Sequence, residues 1–253
     1  MYKALITDLD GTAIAVASNG NDVDKRTQEA IGKAVSQGFK IACATGRDWT
    51  VAEPVIRKLG LISPSIVEGG TRIVNSRTGQ TIWEKYLDAA AANAVLRVLK
   101  SYVKSGKFMT SANPSVHPLE TVQEVSDNLR YLYLLQLDEQ VSISIANHIN
   151  TEKSAVAHLT PSWYGTGHFD LHITHPNATK EHAIKVWQRR EGISHNQTIG
   201  MGDSGNDIPI FMSSGLKVAV ANATPDLLEL ADYIAPSASQ HALEHVIGKF
   251  LVT

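Results

Sequence analysis

Four short segments of the chain concentrate the side chains that could do chemistry. They read Asp8-Leu9-Asp10-Gly11-Thr12, Ala44-Thr45-Gly46-Arg47, Lys180, and Gly200-Met201-Gly202-Asp203-Ser204-Gly205-Asn206-Asp207. Carboxylates can bind a cation, attack as nucleophiles or transfer protons, while hydroxyl, lysine and arginine groups hold anionic oxygens. Each segment alone is typical of a solvated turn or a helix start. Together the four predict one functional site.

The elements around these segments predict that the segments meet at one edge of a sheet. The predicted strands are 4–7, 40–44, 198–201 and 218–220, and predicted helices begin after Asp24, after Asp48 or Thr50, at Lys180 and near Val246. Unbroken apolar strands that alternate with helices are typical of a parallel sheet covered on both faces. In such sheets ligands bind at the carboxyl ends of the strands. We therefore predict an α/β fold with a doubly wound parallel sheet.

The middle of the chain departs from this alternation of apolar strands and helices. A long alanine-rich helix after Asp88 is followed by strands in which apolar and polar residues alternate cleanly. The segment 141–145 alternates like a strand, but its apolar residues also fit the spacing of a helix, which we favour. We predict a core of residues 1–83 and 178–253, split by an inserted α+β domain at 84–177.

Composition narrows the possible partners. The 253 residues carry 23 Lys plus Arg against 25 Asp plus Glu, a formal net charge of -2. Because a duplex-binding protein usually shows a basic excess or stripe, no nucleic-acid partner is expected. No stretch approaches the length of apolar sequence that spans a bilayer, so no membrane partner is expected either. One cysteine, Cys43, fits a reducing compartment, and we expect a cytoplasmic protein whose oligomeric state stays open.

The four segments, in this order and on these elements, resemble the haloacid dehalogenase (HAD) superfamily, and within it the Cof-type class IIB phosphatases. The most specific part runs from Ile199 to Asp207 and continues through Val218-Ala219-Val220-Ala221-Asn222-Ala223 and Ala231-Asp232-Tyr233. The resemblance covers nearly the whole chain, because the inserted segment lies where that class carries its cap. It implies a Rossmann-like core, an α+β cap that sets substrate specificity, and a Mg²⁺-dependent phosphatase. The implied substrate is a small phosphorylated metabolite, either a sugar phosphate or a cofactor phosphate.

The resemblance also implies a role for each polar residue of the four segments. Asp8 would be the nucleophile and form an aspartyl-phosphate, while Asp10 would protonate the leaving group and then activate water. Mg²⁺, which prefers hard oxygen ligands, would be bound by Asp8, the backbone carbonyl of Asp10 and Asp203. The residues that would hold the phosphoryl group or the substrate are Thr45, Gly46, Arg47, Asn206 and the catalytic Lys180. Asp207 would orient Lys180 or a metal-bound water.

Two segments depart from the class pattern. The class often carries Asn-Gly after its third core strand, where this chain has Glu68-Gly69-Gly70. No residue is therefore assigned the substrate contact of that asparagine. The loop 13–24 is also longer than is usual in the class, and its Asn19-Gly20-Asn21 tip is expected near the mouth of the cleft.

The last strand predicted in the insertion is the candidate specificity element. One face would carry Phe169, Leu171 and Ile173, and the other His168, Asp170, His172 and Thr174. A plain surface strand would alternate in the same way. Since the class lays its cap sheet over the cleft, as the resemblance implies, Asp170 and His172 are predicted to contact the leaving group.

Other functions compete with phosphate hydrolysis. A phosphomutase that uses the same Asp8 stays open, as does a non-catalytic phosphometabolite-binding protein, although the full polar set favours an enzyme. The segment 200–205 matches G-x-G-x-x-G, but no acidic residue ends a second strand about 20 residues later, so dinucleotide binding is disfavoured. His168, His172 and His175 lack a nearby cysteine or glutamate, which disfavours zinc.

Overall fold

The computed structural model describes residues 1–15, 23–125, 127–162 and 167–252 of the chain. The chain divides into two units, one of Met1–Trp83 with Lys180–Thr253 and one of Glu84–Thr179. The loop tip Asn19-Gly20-Asn21 lies outside the described residues. Every helix in the described ranges is too short or too polar to cross a bilayer.

The first part of the chain alternates strands with helices. Its elements are β1 (Ala4–Thr7), α1 (Lys25–Ser36), β2 (Lys40–Cys43), α2 (Trp49–Leu59), β3 (Ser65–Val67), β4 (Arg72–Val74) and β5 (Thr81–Glu84). The carboxylate of Asp24 accepts a hydrogen bond from the backbone N–H of Arg26 and so caps α1. α2 ends at Gly60, which adopts a left-handed conformation with φ 73°. The last three strands form a separate small sheet in the order β3-β4-β5.

The second unit is an antiparallel sheet with two helices. Its elements are α3 (Ala89–Tyr102), β6 (Lys107–Thr110), β7 (His117–Pro118), β8 (Tyr131–Leu137), α4 (Glu139–Glu152), β9 (Val156–Pro161) and β10 (Phe169–Thr174). The strand order is β7-β6-β8-β10-β9. α4 covers 141–145, so the helix predicted there is confirmed. Leu171 and Ile173 of β10 pack with the apolar faces of α3 and α4, which explains the alternation along this strand.

The final part of the chain returns to the parallel pattern. Its elements are α5 (Lys180–Glu191), β11 (Thr198–Gly202), α6 (Ile208–Met212), β12 (Leu216–Val220), α7 (Pro225–Leu230), β13 (Tyr233–Ala235) and α8 (Ala242–Phe250). Its strands join those from the start of the chain in one sheet of order β13-β12-β11-β1-β2, with every neighbouring pair parallel.

Both faces of this parallel sheet are buried. Leu5 and Ile41 pack in a cluster with side chains of α1, α2 and α8, while the next residues along the same strands, Ile6 and Ala42, pack with α5 on the other face. Because successive strand residues point to opposite faces, unbroken apolar strands are what this double burial requires. The predicted doubly wound α/β fold is confirmed. Its parallel strands end at one common edge of the sheet, and Asp8, Thr45 and Asp203 follow the ends of β1, β2 and β11.

Candidate active site

A buried lysine contacts carboxylates from both parts of the sequence that form the core. Lys180 is the first residue of α5, and its Nζ donates hydrogen bonds to Oδ1 of Asp8 at 3.1 Å and to Oδ1 of Asp207 at 2.7 Å. The side chains of Lys180 and Asp207 are 6% and 0% exposed. Burial lowers the pKa of Lys180, but Asp207 and Asp8 more than offset this effect and raise the pKa above its ordinary value. Lys180 therefore stays a cation at neutral pH.

Three carboxylates surround this cation. Asp8, Asp203 and Asp207 each bring one oxygen to a position within 4.8 Å of the other two. Burial raises the pKa of Asp8 well above its ordinary value; Lys180 opposes this shift, and the other carboxylates add to it. Burial and the charge of Asp207 raise the pKa of Asp203 to about 6. One lysine therefore does not offset burial and the mutual repulsion of the carboxylates, whose hard oxygens suit a divalent cation such as Mg²⁺.

Asp207 differs from the other two carboxylates because both of its oxygens already accept hydrogen bonds. Oδ1 accepts from Lys180, and Oδ2 accepts from the backbone N–H groups of Asp203 at 3.0 Å and Ser204 at 3.3 Å. Gly202 makes room for this side chain, since an added Cβ would lie 2.4 Å from the Cβ of Asp207. Asp207 is thus arranged to orient Lys180 and the backbone of Asp203. The carboxylate oxygens of Asp8 and Asp203 are better suited to bind a metal.

Thr12, Gly11 and Asn222 fix the carboxylate of Asp203 and the loop beside it. The Oγ1 of Thr12 donates to Oδ1 of Asp203 at 2.8 Å. Gly11 has φ 77°, and a Cβ there would lie 2.6 Å from Oδ2 of Asp203, so only glycine fits. Asn222 donates from Nδ2 to the carbonyl of Gly11 at 2.9 Å. The sequence alone predicts no role for Thr12 or Asn222, although Thr12 belongs to the first polar segment and Asn222 to the stretch 218–223 that carries the family resemblance.

Arg47 binds the carboxylate of Asp10. Its Nε donates to Oδ2 of Asp10 at 2.7 Å, and its Nη2 donates to Oδ1. Arg47 is 13% exposed and Asp10 is 44% exposed. The hydrogen bonds to Asp10 raise the pKa of Arg47, and burial opposes this effect. Arg47 is therefore beside the predicted acid, while its contact with substrate stays a prediction.

Thr45 is held rigidly at the end of β2. It is buried, and its backbone N–H donates to the carbonyl of Ile66 at 3.0 Å. Its Oγ1 accepts from the backbone N–H of Arg47 at 3.1 Å, which leaves the hydroxyl proton available for an anionic oxygen. Gly46 between them is partly exposed. Asn206 is exposed and accepts a hydrogen bond from Ser204, but no described hydrogen bond links it to the carboxylate cluster.

Asp170 and His172 lie in the second unit and have partners there. Asp170 is 1% exposed, and its Oδ1 accepts from the backbone N–H of Gln136 at 2.8 Å. At this point β10 and β8 shift register, and Gln136 has φ 60°, so the contact fixes a β-bulge. The ring of His172 stacks on Tyr133 with 4.5 Å between centroids. Both side chains are buried, unlike those of a plain surface strand, and their contact with a leaving group stays a prediction.

The chain matches a known family over most of its length. The family model of haloacid dehalogenase-like hydrolases matches residues 5–247. The chain is also 31% identical over 249 residues to a phosphoglycolate phosphatase from Methanothermobacter thermautotrophicus, and the match covers 98% of this chain and 99% of that protein.

Solved structures share the fold. BT1666 from Bacteroides thetaiotaomicron, a phosphatase of the haloalkanoate (HAD) enzyme superfamily, has a TM-score of 0.81 at 20% identity, covering 100% of this chain and 96% of that one. The HAD subclass IIB sugar phosphatase BT4131 has a TM-score of 0.75 at 20% identity, covering 99% of this chain and 100% of that one. With its strand-end carboxylates and buried lysine, this chain belongs to the haloacid dehalogenase-like hydrolases and is a phosphoric monoester hydrolase.

Proposed function

We propose that the protein is a Mg²⁺-dependent phosphatase that hydrolyses a small phosphorylated metabolite through an aspartyl-phosphate on Asp8. The observation that carries the proposal is the cluster of buried Asp8 and Asp207 and partly exposed Asp203 around Lys180. An anionic nucleophile that attacks an anionic phosphoryl group needs fixed positive charge beside it. Lys180 supplies one such charge, and the excess of carboxylates supports a second, divalent one.

The residues of the cluster fit Mg²⁺. Asp8 and Asp203 would each give one carboxylate oxygen, and the backbone carbonyl of Asp10 would give a third, as the family resemblance implies. When bound, the ion would neutralise the negative charge shared by the nucleophile and the transferring phosphoryl group. Asp207 would act on Lys180 and on the Asp203 backbone rather than bind the ion.

Each step of the reaction is assigned to particular residues of the chain. An oxygen of Asp8 attacks phosphorus, so that a new oxygen–phosphorus bond forms while the bond to the leaving oxygen breaks. Asp10 gives its proton to the leaving oxygen. In the second half Asp10 takes a proton from water, the water oxygen attacks phosphorus, and inorganic phosphate leaves as Asp8 is restored. Thr45, Gly46 and Lys180 hold the phosphoryl oxygens.

Arg47 offers a way to time the proton transfer. In the structure its guanidinium binds both oxygens of Asp10. A substrate phosphate can compete for the same guanidinium, because arginine binds phosphate and carboxylate with the same paired geometry. We propose that this exchange frees Asp10 to take up a proton from solvent and to pass it to the leaving oxygen once substrate is bound.

The second unit is proposed to select the substrate. Asp170 already has a structural partner in the β-bulge, so His172 and its stacked Tyr133 are the stronger candidates for contact with a leaving group. We expect His172→Ala to change which metabolite is preferred. Hydrolysis of p-nitrophenyl phosphate should change far less, because this small substrate needs few contacts with the specificity element. Equal loss of both activities would show that His172 serves folding alone.

The test of function is a screen of phosphorylated metabolites with Mg²⁺. The panel contains phosphoglycolate, because a relative is named for it, together with sugar phosphates and pyridoxal phosphate. We expect release of inorganic phosphate, with activity of Asp8→Asn below a few per cent, and a sharply raised Mg²⁺ requirement in Asp203→Ala. Higher residual activity of Asp8→Asn would contradict the aspartyl-phosphate. Isomerised sugar phosphate without free phosphate would indicate a mutase instead, and binding without turnover would indicate a sensor.

A further inference from the structure

The turn Glu68–Gly70, where the class pattern is broken, has an unusual backbone. Its three residues have φ values of 54°, 66° and 103°. Glycine adopts the left-handed region freely, but a glutamate does not. A strained residue of this kind persists where its surroundings determine it, and such residues gather at functional sites. Glu68 is therefore held in place by something beyond its own preference.

The backbone of this turn binds the loop that carries the predicted phosphate-binding residues. The N–H of Glu68 donates to the carbonyl of Arg47 at 2.9 Å, and the N–H of Gly69 donates to the carbonyl of Thr45 at 3.0 Å. In an extended strand two successive N–H groups would point in opposite directions. Because the turn is left-handed, both N–H groups reach one loop and hold its two ends.

The side chain of Glu68 stabilises the turn through contacts with Thr71 and Arg72. Its carboxylate is 3% exposed and lies 3.5 Å from Nη1 of Arg72. It also accepts a hydrogen bond from Oγ1 of Thr71 at 3.2 Å. Arg72 is itself fixed, since its Nε donates to Oγ1 of Thr81 at 2.8 Å. The carboxylate is thus anchored to β4 and β5, and the turn also packs against α5, which begins at Lys180.

We propose that Glu68 is a positioning residue for phosphate binding. Its buried carboxylate, held by Thr71 and Arg72, locks the left-handed turn whose N–H groups hold Thr45 and Arg47 in place. The proposal rests on the proposed phosphatase function and adds to it a residue that acts through the loop, without touching the substrate. Loss of the lock should weaken the binding of a phosphate anion more than it slows the chemical step.

The decisive variant is Glu68→Gly. Glycine removes the carboxylate but suits the left-handed backbone, so the fold should be kept. Inorganic phosphate, titrated calorimetrically with Mg²⁺ present, should bind about tenfold more weakly, since small displacements of positioning groups have effects of this size or larger. KM for p-nitrophenyl phosphate should rise by a similar factor, and kcat should change less. Glu68→Gln, which keeps the bond from Thr71, should recover most of the affinity.

Two further variants separate positioning from general destabilisation. Ser76→Ala removes two buried hydrogen bonds of the Ser76 hydroxyl, one to the carbonyl of Ser63 at 2.6 Å and one with Oγ of Ser65 at 2.7 Å. It should lower stability and leave phosphate affinity unchanged. In a Thr45→Val background, Glu68→Gly should have a smaller effect than in the wild type, because both changes act on one loop.

Three outcomes would overturn the role of Glu68. The first is that Glu68→Gly binds phosphate as tightly as the wild type. The second is that Ser76→Ala loses as much phosphate affinity as Glu68→Gly. The third is that Glu68→Gly lowers phosphate affinity by the same factor in the Thr45→Val background as in the wild type. A wild-type protein that binds phosphate but shows no turnover would overturn the phosphatase proposal alone, because the calorimetric comparison does not depend on turnover.

Discussion

Replacing Asp203 by asparagine should stabilise the metal-free protein while it removes a proposed metal ligand. Burial and the charge of Asp207 raise the pKa of Asp203 from 3.8 to about 6. Asparagine has nearly the same shape, and its side-chain oxygen can still accept the 2.8 Å hydrogen bond from Thr12. The substitution therefore removes a charge that the folded state disfavours at neutral pH and leaves the packing intact.

The sign and size of this effect follow from the pKa. Because the pKa of Asp203 is higher in the folded state, the folded protein binds more protons than the unfolded chain between about pH 4 and about pH 6. Its free energy of unfolding falls as pH rises through this window, and the whole penalty is present at neutral pH. The difference between 3.8 and about 6 corresponds to about 3 kcal/mol. Asp203 is partly exposed, so solvent screening reduces the expected gain to about 1–2 kcal/mol.

Urea unfolding in EDTA measures this gain. Asp203→Asn should be more stable than the wild type at about pH 7, and the difference should shrink towards about pH 4. Added Mg²⁺ should stabilise the wild type and leave the variant unchanged. Glu229→Gln, an exposed change of the same charge, should stay within about 0.5 kcal/mol of the wild type. A less stable Asp203→Asn protein at neutral pH, or equal stabilisation of both by Mg²⁺, would refute the reasoning.

Three other substitutions test the scaffold. Lys180→Met leaves two buried carboxylates without their cation and should lower the free energy of unfolding by about 3–5 kcal/mol; an unchanged urea midpoint would contradict the buried pair. Gly11→Ala places a Cβ 2.6 Å from Oδ2 of Asp203 and should cost about 1–3 kcal/mol and weaken Mg²⁺ activation; wild-type stability would contradict the close contact. Trp187→Phe removes the 2.8 Å hydrogen bond to the carbonyl of Pro64 and should lower stability by about 1–3 kcal/mol without changing KM.

The fold could be predicted from sequence because its signals are local and repeated. Unbroken apolar strands indicated a sheet buried on both faces, and both faces are buried. Asp24 and Asp88 indicated helix starts, and each side chain accepts a hydrogen bond from the first turn of its helix. The secondary structure of segment 141–145 was harder to predict, because an alternating pattern and a helical pattern overlap in so short a window. The structure places the segment in α4.

The sequence was enough to group Asp8, Asp203 and Asp207 with Lys180, but it did not give the partners of Arg47 and Asp170. Parallel strands end at one edge, which is enough to group Asp8 with Asp203. The pairing of Arg47 with Asp10 depends on the path of a loop, which residue types do not encode. Asp170 shows the same limit. Strand alternation assigned it to the polar face, but a bulge opposite decided that its carboxylate binds the backbone of Gln136.

The predicted signs of the substitutions distinguish a functional cluster from a structural one. In a structural ion network, removal of any charged member would lower stability. Here the raised pKa values of Asp8 and Asp203 mean that the carboxylates oppose folding when no metal is bound. Loss of one of them should therefore stabilise the protein, whereas loss of Lys180 should destabilise it. Carboxylates that are kept at a cost to stability are typical of active sites, because the same repulsion that opposes folding favours binding of a cation.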